Sequence, residues 1–354
     1  MTSTTDEQKA HATVGDGQIP EVVCVLAINE TDFRWFFGDS LGDRLCELLP
    51  GLLRLPEDAF EPSRYDRFLA EHNPEMIVTA WSSPLIPADF LDRPGSRLRY
   101  VCNVTGGVRQ CIPRRLMERG LLVSNWGPAV SHFVAEGGLA LLLELLRDSR
   151  RISKQMHEER HWQHGLLVDT LFGKRVGFHG FGNTAKELVR LLRPFQVSFS
   201  AYDPYVKPGV FEEFGVTRTE KLEFLFSDND VLFELAGLTD ESRSTVTENM
   251  LRSIPENGLF INVGRAAVVN EEALITVALE GKLRVGLDVF HKEPIPHDYP
   301  LRGLFNVAMT PHSAGATRET HRLCGEYALA NIERWLKGEE VVSTVGISQY
   351  DLMT

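Results

Sequence analysis

Short apolar runs alternate with helical patterns along most of this chain, and that alternation restricts the folds it can adopt. The clearer series starts near Arg175, where the runs are bounded by turn residues and separated by helical stretches. These runs are Arg175–His179, Val197–Tyr202, Val231–Ala236, Leu259–Val263, Val285–Val289 and Val307–Thr310. Strands that alternate with helices form parallel βαβ units, so the series predicts a doubly wound α/β sheet.

A second series of apolar runs and helical patterns precedes Arg175 in the sequence. Its strand-like runs are Val22–Ile28, Met76–Trp81, Leu98–Asn103 and Leu121–Asn125. Between the first two runs, leucines recur at helical spacing at Leu41, Leu45, Leu48 and Leu49. We therefore predict a second parallel α/β domain, of the flavodoxin-like kind.

The domain boundaries follow from two long helical patterns. Phe133–Leu146 is apolar almost all round, which is typical of a buried helix, and a later pattern ends at Gly338. A chain of 354 residues exceeds what one core usually organises. We predict a disordered tail at 1–18 and one domain formed by 19–128 with 315–354. A dinucleotide-binding Rossmann-type domain at 129–314 is inserted into it.

The composition excludes several classes of partner. The net charge of −12 and pI near 5.4 disfavour binding to a phosphate backbone, so we expect no nucleic acid. The longest apolar run, Leu139–Leu146, is too short to span a membrane and contains Glu144. The five cysteines are scattered, and the polar N-terminus has no apolar signal segment. We expect a cytoplasmic protein without a metal site or disulfides.

A glycine-rich turn directly follows the run Arg175–His179. It reads Gly180-Phe181-Gly182-Asn183-Thr184-Ala185, which fits the dinucleotide pattern G-x-G-x-x-G/A. Apolar residues at helical spacing follow it, so the N-terminus of a helix would face the phosphates. We predict that residues 180–184 contact the cofactor.

The run Val197–Tyr202 is followed by Asp203, 23 positions after Gly180 (203 − 180). A carboxylate at this place accepts hydrogen bonds from the adenosine ribose and repels a 2′-phosphate, so the sequence favours NAD over NADP. The alternative interpretation is an aspartate that merely caps a turn before Pro204.

Three residues that follow later strands are candidates for binding a carboxylate and for proton transfer. Arg265 has the planar fork that binds a carboxylate, and His312 can exchange a proton near neutral pH. Glu293 would stabilise the imidazolium and fix its tautomer if it lay beside His312. The alternative interpretation of Arg265 and of Glu293, each considered alone, is a charged residue on a solvent-exposed loop.

Together these segments resemble the D-isomer-specific 2-hydroxyacid dehydrogenase family, in family order and over about two-thirds of the chain. The matching segments are Val134-Ala135-Glu136, Val176–Gly182, Tyr202-Asp203-Pro204, Ile261–Arg265, Leu287–Phe290, Glu293-Pro294 and Thr310–Gly315.

The resemblance implies an NAD-dependent enzyme that transfers hydride between NADH and a small 2-keto acid to give a D-2-hydroxy acid. It implies that Arg265 binds the substrate, that His312 is the acid/base and that Glu293 pairs with it. It also implies that Gly264 and Asp288 contact the cofactor and that the protein is a homodimer. Backbone N–H groups around Gly106 and Gly107 would help to hold the substrate carboxylate.

The sequence departs from the family at several positions. Ala266 replaces a common glycine, Leu235 replaces a common histidine, and the aspartate often found after the substrate-loop glycines is missing. Arg109 in that loop is a candidate for binding a second anionic group, or for a structural ion pair. Trp81 is a candidate pocket wall, or a core residue.

Two alternatives to keto acid reduction stay open at this point. One is a phosphite-type dehydrogenase on the same fold. A formate-type enzyme on this fold carries an amide where Glu293 stands, so Glu293 argues against that type. The other is a non-catalytic NAD-sensing protein like the corepressors of this architecture, which keep an intact triad.

Overall fold

The computed structural model describes residues 22–352, so the predicted tail at 1–18 lies outside the described residues. The chain divides into two compact units. Unit 1 runs to Gly127 and resumes at His321–Asp351, and unit 2 contains Pro128–Thr320. The second boundary falls at 320/321, whereas the sequence prediction placed it at 314/315.

Unit 1 is built around parallel strands flanked by helices. Its strands are β1 (Cys24–Leu26), β2 (Leu52–Arg54), β3 (Met76–Thr79), β4 (Tyr100–Asn103) and β5 (Leu122–Ser124). Its helices in the first part of the chain are α1 (Glu30–Phe36), α2 (Gly38–Leu48), α3 (Pro62–His72) and α4 (Arg114–Glu118). Near the end of the chain it also contains most of α12 (Arg318–Leu336) and of α13 (Ile347–Leu352). Each of these last two helices crosses a unit boundary.

The strand order in unit 1 is β2-β1-β3-β4-β5, with every neighbouring pair parallel. This is the flavodoxin-like order. Every residue of β1, β3 and β4 is buried, as expected of strands covered by helices on both faces. The predicted fold class of this part of the chain is confirmed.

Unit 2 contains the longer parallel sheet. Its strands are β6 (Arg175–His179), β7 (Ser198–Tyr202), β8 (Thr217–Arg218), β9 (Val231–Glu234), β10 (Leu259–Asn262), β11 (Arg284–Leu287) and β12 (Val307–Met309). Their order within the described residues is β12-β11-β10-β9-β6-β7-β8. Numbered from β6, the order is 3-2-1-4-5-6 with one further strand, as in dinucleotide-binding Rossmann sheets.

The helices of unit 2 cover both faces of this sheet. They are α5 (Ser131–Leu146), α6 (Ser149–His157), α7 (Asn183–Leu192), α8 (Pro208–Glu213), α9 (Leu222–Asp228), α10 (Glu248–Ser253) and α11 (Glu271–Leu279). The apolar face predicted for α7 is buried, at Ala185, Leu188, Val189 and Leu192. The first of these is small enough for the helix to start close against the sheet.

The sequence analysis missed β2 and β8, which lie at the edges of their sheets. Both are short and partly or fully exposed, so neither has the apolar run that marks a buried strand. None of the helices within residues 22–352 is long and apolar enough to cross a membrane.

Candidate active site

The glycine turn after β6 has the shape that a dinucleotide requires. Gly180 has a φ of +87°, and a Cβ at this position would lie 2.7 Å from the backbone nitrogen of Ala236. At Gly182 a Cβ would meet no atom within 4 Å, so the backbone there faces open space. Helix α7 begins at the next residue, Asn183, and Thr184 lies in its first turn. The turn and the helix N-terminus therefore leave room for a pyrophosphate.

Asp203 follows β7 and lies against this turn. Its Oδ2 accepts the backbone N–H of Phe181 at 2.8 Å, and its Oδ1 accepts that of Tyr205 at 2.9 Å. The side chain of Phe181 is itself buried and stacks on Phe211, so only the backbone of Phe181 faces the turn. Asp203 thus caps the local turn, and each oxygen keeps lone-pair capacity for a further donor.

His312 and Glu293, predicted as a pair, lie in contact. Oε2 of Glu293 is 2.8 Å from Nδ1 of His312, and Oε1 accepts the backbone N–H of Phe290 at 2.9 Å. Glu293 follows β11 and His312 follows β12, so neighbouring parallel strands bring them to one edge of the sheet. A hydrogen on Nδ1 that donates to this carboxylate leaves Nε2 as the ring nitrogen available to a ligand.

Arg265 follows β10, the next strand of the same edge. Its guanidinium is largely buried, and this burial lowers its pKa, while the charge of Glu293 opposes the change. An arginine stays protonated at any physiological pH even so. The turn is fixed by Asn262, which accepts the N–H of Gly264 at 3.0 Å and donates to the carbonyl of Arg265 at 3.3 Å. Arg265 therefore shares the electrostatic environment of the imidazole–carboxylate pair.

Asp288 anchors the loop that carries His312. It is buried and accepts hydrogen bonds from the hydroxyl of Thr310 at 2.6 Å and from the backbone N–H groups of Ser313 at 2.7 Å and Ala314 at 3.0 Å. These bonds hold His312 at a φ of +52°, in the left-handed region that few non-glycine residues adopt. Sequence analysis assigned Asp288 to the cofactor, which stays a prediction, and missed this role.

Helix α5 supports the same loop from the other side. A Cβ at Gly137 would lie 2.6 Å from the Cα of Ala314. Real Cβ atoms do not approach backbone so closely, so a larger residue at position 137 would displace the loop. The helix and Asp288 together fix the segment after His312.

A cavity of about 810 Å³ opens beside this pair within unit 2. Besides Glu293 and His312, it is lined by apolar side chains, by Glu144 and Thr310, and by two arginines, Arg150 and Arg302. The arginines already donate to backbone carbonyls of Leu304 and Pro296, respectively. The imidazole is therefore open to ligands of substantial size.

A second imidazole–carboxylate pair was not predicted. Nδ1 of His179, at the end of β6, lies 2.6 Å from Oε2 of Glu234, at the end of β9, and both side chains are buried. Oε1 of Glu234 accepts the backbone N–H of Ala236 at 2.9 Å, the residue against which Gly180 packs. No motif marks this pair in the sequence, because its members are 55 positions apart.

The remaining predicted residues lie in unit 1, after the carboxyl ends of its strands. The carbonyl oxygen of Gly106 accepts the side-chain amide of Asn125 at 2.7 Å, and that of Gly107 accepts the amide of Asn103 at 3.1 Å. Trp81 follows β3 and is partly exposed.

Arg109, in the same loop, lies near the end of the chain. Its guanidinium is 5.9 Å from the ring centroid of Tyr350. A hydrogen bond from Arg114, with the added charge of Arg109, lowers the pKa of Asp351. The structure thus places Arg109 among partners within unit 1, in keeping with the structural alternative.

No group of three or more histidine, cysteine or acidic side chains suited to a metal ion occurs in the part of the chain that the structure describes.

A Rossmann sheet with a glycine turn, and an arginine, a histidine and a glutamate at its carboxyl edge, define a nicotinamide-dependent oxidoreductase. Residues 139–314 match the model of the D-isomer specific 2-hydroxyacid dehydrogenase NAD-binding domain. This matched segment belongs to the D-isomer-specific 2-hydroxyacid dehydrogenase family.

Individual relatives and a solved structure are similar to the chain over most of its length. The chain is 29% identical over 299 residues to a hydroxypyruvate reductase of Thermotoga maritima, covering 83% of this chain and 95% of that protein. It is 26% identical over 272 residues to a D-3-phosphoglycerate dehydrogenase of Methanocaldococcus jannaschii, covering 77% of this chain but only 52% of that protein. The crystallised 2-hydroxyacid dehydrogenase of Ketogulonicigenium vulgare has a TM-score of 0.75 at 25% identity, over 91% of this chain and 97% of that one. The comparisons favour neither a phosphite-type enzyme nor a non-catalytic sensor.

Proposed function

We propose that this protein uses NADH to reduce a 2-keto acid to the D-2-hydroxy acid, with Arg265, His312 and Glu293 as the groups that act on the substrate. The observation that supports this most is the 2.8 Å contact between His312 and Glu293, within the electrostatic reach of Arg265. A cation for the carboxylate and a proton donor for the oxygen are what keto acid reduction needs from a protein.

The glycine turn and the N-terminus of α7 would hold the pyrophosphate, and Asp203 the adenosine ribose. When bound, the cofactor supplies a hydride, with its two electrons, to C2 of the keto acid and leaves as its oxidised form. The open space at Gly182 fits this assignment, since any side chain there would occupy the phosphate site.

Arg265 would bind the substrate carboxylate and polarise the keto oxygen through its fixed fork of donors. Nε2 of His312 would donate a proton to the oxygen of C2 as negative charge develops on it. Glu293 would orient the ring through its contact with Nδ1. In the direction of oxidation the same nitrogen would accept the hydroxyl proton.

The substrate loop in unit 1 would supply backbone donors. The peptide groups after Gly106 and Gly107 are oriented by the amides of Asn125 and Asn103, which bind their carbonyl oxygens. In a trans peptide the N–H points opposite to the carbonyl, so the N–H groups of Gly107 and Val108 point away from those amides. We propose that they bind the substrate carboxylate.

We propose NAD rather than NADP as the cofactor. Asp203 stands at the ribose position, and the nearby hydroxyl of Tyr205 donates to Glu241 at 2.8 Å. Two carboxylates in this region would repel a 2′-phosphate. Equal kcat/KM with NADPH and NADH would contradict the proposal.

We also propose a cytoplasmic homodimer that associates through unit 2. The segment between α6 and β6 exposes Trp162, Leu167 and Phe172, and exposed apolar groups of this kind mark contact surfaces. Sedimentation equilibrium would show a mass of about twice 39.8 kDa. The cytoplasmic location is supported by the scattered cysteines noted above.

The decisive experiment is a screen of NADH oxidation with glyoxylate, hydroxypyruvate, pyruvate, branched-chain keto acids and phosphonate-bearing keto acids. We expect turnover with at least one of them. Arg265→Lys should lower its kcat/KM by about 10²-fold or more, because one ammonium cannot replace a fork of donors. Arg34→Lys, at an exposed arginine of unit 1, is the matched control. Bound NADH without turnover on any keto acid, or full activity in Arg265→Lys, would refute the assignment.

A further inference from the structure

Three tryptophans and a histidine form a continuous aromatic surface at one edge of the unit 1 sheet. The ring centroid of Trp81 lies 6.2 Å from that of Trp35, 6.2 Å from that of Trp126 and 6.0 Å from that of His321. His321 in turn stacks on Trp35 at 5.4 Å. We call these four residues the tryptophan surface.

The tryptophan surface lies where ligands bind in open α/β sheets. Trp35 follows β1, Trp81 follows β3 and Trp126 follows β5, so all three come after the carboxyl ends of parallel strands. Ligands of doubly wound sheets bind at these ends. The position therefore favours a ligand site over a surface patch without a function.

The tryptophan surface is also continuous with the proposed carboxylate loop. A Cβ at Gly106 would lie 2.5 Å from the indole of Trp126, so the glycine backbone packs directly on the ring. A keto acid held by the N–H groups after Gly106 would place the substituent on its C3 next to these indoles.

Hydrogen bonds hold the tryptophan-bearing loops in place. The buried carboxylate of Asp32 accepts the backbone N–H of Ser82 at 2.8 Å, and the hydroxyl of Ser82 accepts the N–H of Asn29 at 2.9 Å. The hydroxyl of Ser83 donates to the carbonyl of Ala27 at 2.6 Å. The start of α1, which carries Trp35, and the loop after β3, which carries Trp81, are thus tied together, and their indoles are preorganised.

The four residues of the tryptophan surface offer aromatic faces, and none of them is a lysine or an arginine. Trp35 and Trp81 remain 49% and 42% exposed, a large area of indole left in contact with water. Burial lowers the pKa of His321, with Asp32 opposing, so the ring is neutral at physiological pH. Nε2 of His321 is buried and has no hydrogen-bond partner among the described residues. An aromatic ring would stack on the exposed indoles, whereas the four side chains offer no lysine or arginine to an anionic substituent.

We infer that the tryptophan surface binds the substituent of the substrate and selects 2-keto acids that carry an aromatic ring. This inference rests on the proposed function, because it assigns the substrate class of the same reaction. The ring would cover Trp81 and contact Trp35 or Trp126, with the keto acid group extending toward Gly106. A phosphorylated keto acid would be a poor substrate.

The test compares phenylpyruvate, 3-phosphohydroxypyruvate and glyoxylate in steady-state reduction by the full-length protein. We expect kcat/KM for phenylpyruvate to exceed that for the other two by about tenfold or more. Trp81→Leu and Trp35→Leu should each lower the value for phenylpyruvate by about tenfold and change that for glyoxylate by less than about twofold. Trp81→Phe, which keeps an aromatic face, should retain most of the preference.

Trp335→Leu is the matched control, since Trp335 also lies in unit 1 but stacks on Tyr100, outside the tryptophan surface. It should leave the ratio of the two substrates unchanged. Binding of phenyllactate, the reaction product, is measured in parallel by quenching of tryptophan fluorescence and should weaken about tenfold in Trp81→Leu.

The outcomes separate the two proposals. Glyoxylate reduction without a preference for phenylpyruvate, or a preference that survives in Trp81→Leu, overturns the inference and leaves the proposed function standing. Absence of turnover with every keto acid overturns the proposed function. In that case phenyllactate binding that depends on Trp81 still supports an aromatic site, and absence of binding overturns it.

Discussion

Unit 2 contains two histidine–glutamate pairs of similar geometry and very different burial. Nδ1 of His179 is 2.6 Å from Glu234, and their side chains are 7% and 0% exposed. Nδ1 of His312 is 2.8 Å from Glu293, and their side chains are 55% and 38% exposed. Each histidine follows or ends a strand of the same sheet.

Burial decides what each pair can do. Burial alone would lower the pKa of His179, but the charge and hydrogen bond of Glu234, with a contribution from Asp203, raise it overall. A proton held in this way, out of reach of solvent, stabilises structure. The buried pair holds the strand end behind the glycine turn, whereas the exposed pair can pass a proton to a ligand. We propose that the same two kinds of side chain support position in the buried pair and chemistry in the exposed pair.

The largest expected difference between the buried and the exposed pair lies in the effect of replacing each histidine by asparagine. His312→Asn should lower kcat by about 10²–10⁴-fold, because the general acid is lost, with little change in NADH affinity. His179→Asn should act mainly on NADH affinity, since it disturbs the turn and not the proton donor. Stopped-flow turnover and NADH fluorescence titration measure the two effects. Equal losses of kcat in both variants would show that the distinction is wrong.

Replacing each glutamate by leucine should affect stability more at the buried pair than at the exposed pair, which is the reverse of the order expected for kcat. Glu234→Leu should lower the free energy of unfolding by about 3–5 kcal/mol, because it leaves a buried imidazole without its partner. Glu293→Leu should cost less than about 1 kcal/mol, since that pair is solvent-exposed. Urea unfolding followed by near-UV circular dichroism gives both values. Partial recovery in the double variant His179→Leu/Glu234→Leu is the control for cavity effects.

The pH dependence of stability should report the buried pair. The folded pKa of His179 is raised above its usual 6.5, so its stabilising contribution is complete below about pH 6.5 and is lost as the pH rises through the folded pKa. The loss amounts to about 1.4 kcal/mol for each pKa unit of the shift. His179→Gln should abolish this slope in urea unfolding measured at several pH values. A slope that persists in the variant would assign it to other groups.

The smallest effect concerns the backbone of the exposed histidine. Because His312 has a φ of +52°, His312→Gly should be more stable than His312→Ala by about 1 kcal/mol. Both variants lack the imidazole, so the comparison isolates the backbone. Equal urea midpoints would show that the loop relaxes in the alanine variant.

Most of the fold could be predicted from the sequence because the buried strands are apolar and separated by turn residues. The glycine turn, Asp203 and the apolar face of α7 follow from local spacing alone. The edge strands β2 and β8 could not be found this way, because their residues are exposed and their pairing is decided by neighbouring strands.

The candidate site was predictable in part for the same reason. Arg265, Glu293 and His312 each follow a strand-like run, and parallel strands gather such residues at one edge. The pair His179–Glu234 was not predictable, since a histidine inside an apolar strand gives no sign of its partner. Trp81 was a candidate pocket wall, but the tryptophan surface was not predicted, because contact between Trp35, Trp81 and His321 depends on tertiary packing.

The close approach of Gly137 to Ala314 has a consequence for the evolution of substrate range. A residue larger than glycine at position 137 would displace the loop that carries His312, the proposed proton donor. The indoles of Trp35 and Trp81 are 49% and 42% exposed within unit 1, so their exchange leaves no buried cavity. New specificities in this lineage should therefore accumulate in unit 1, while the reacting groups of unit 2 stay constant.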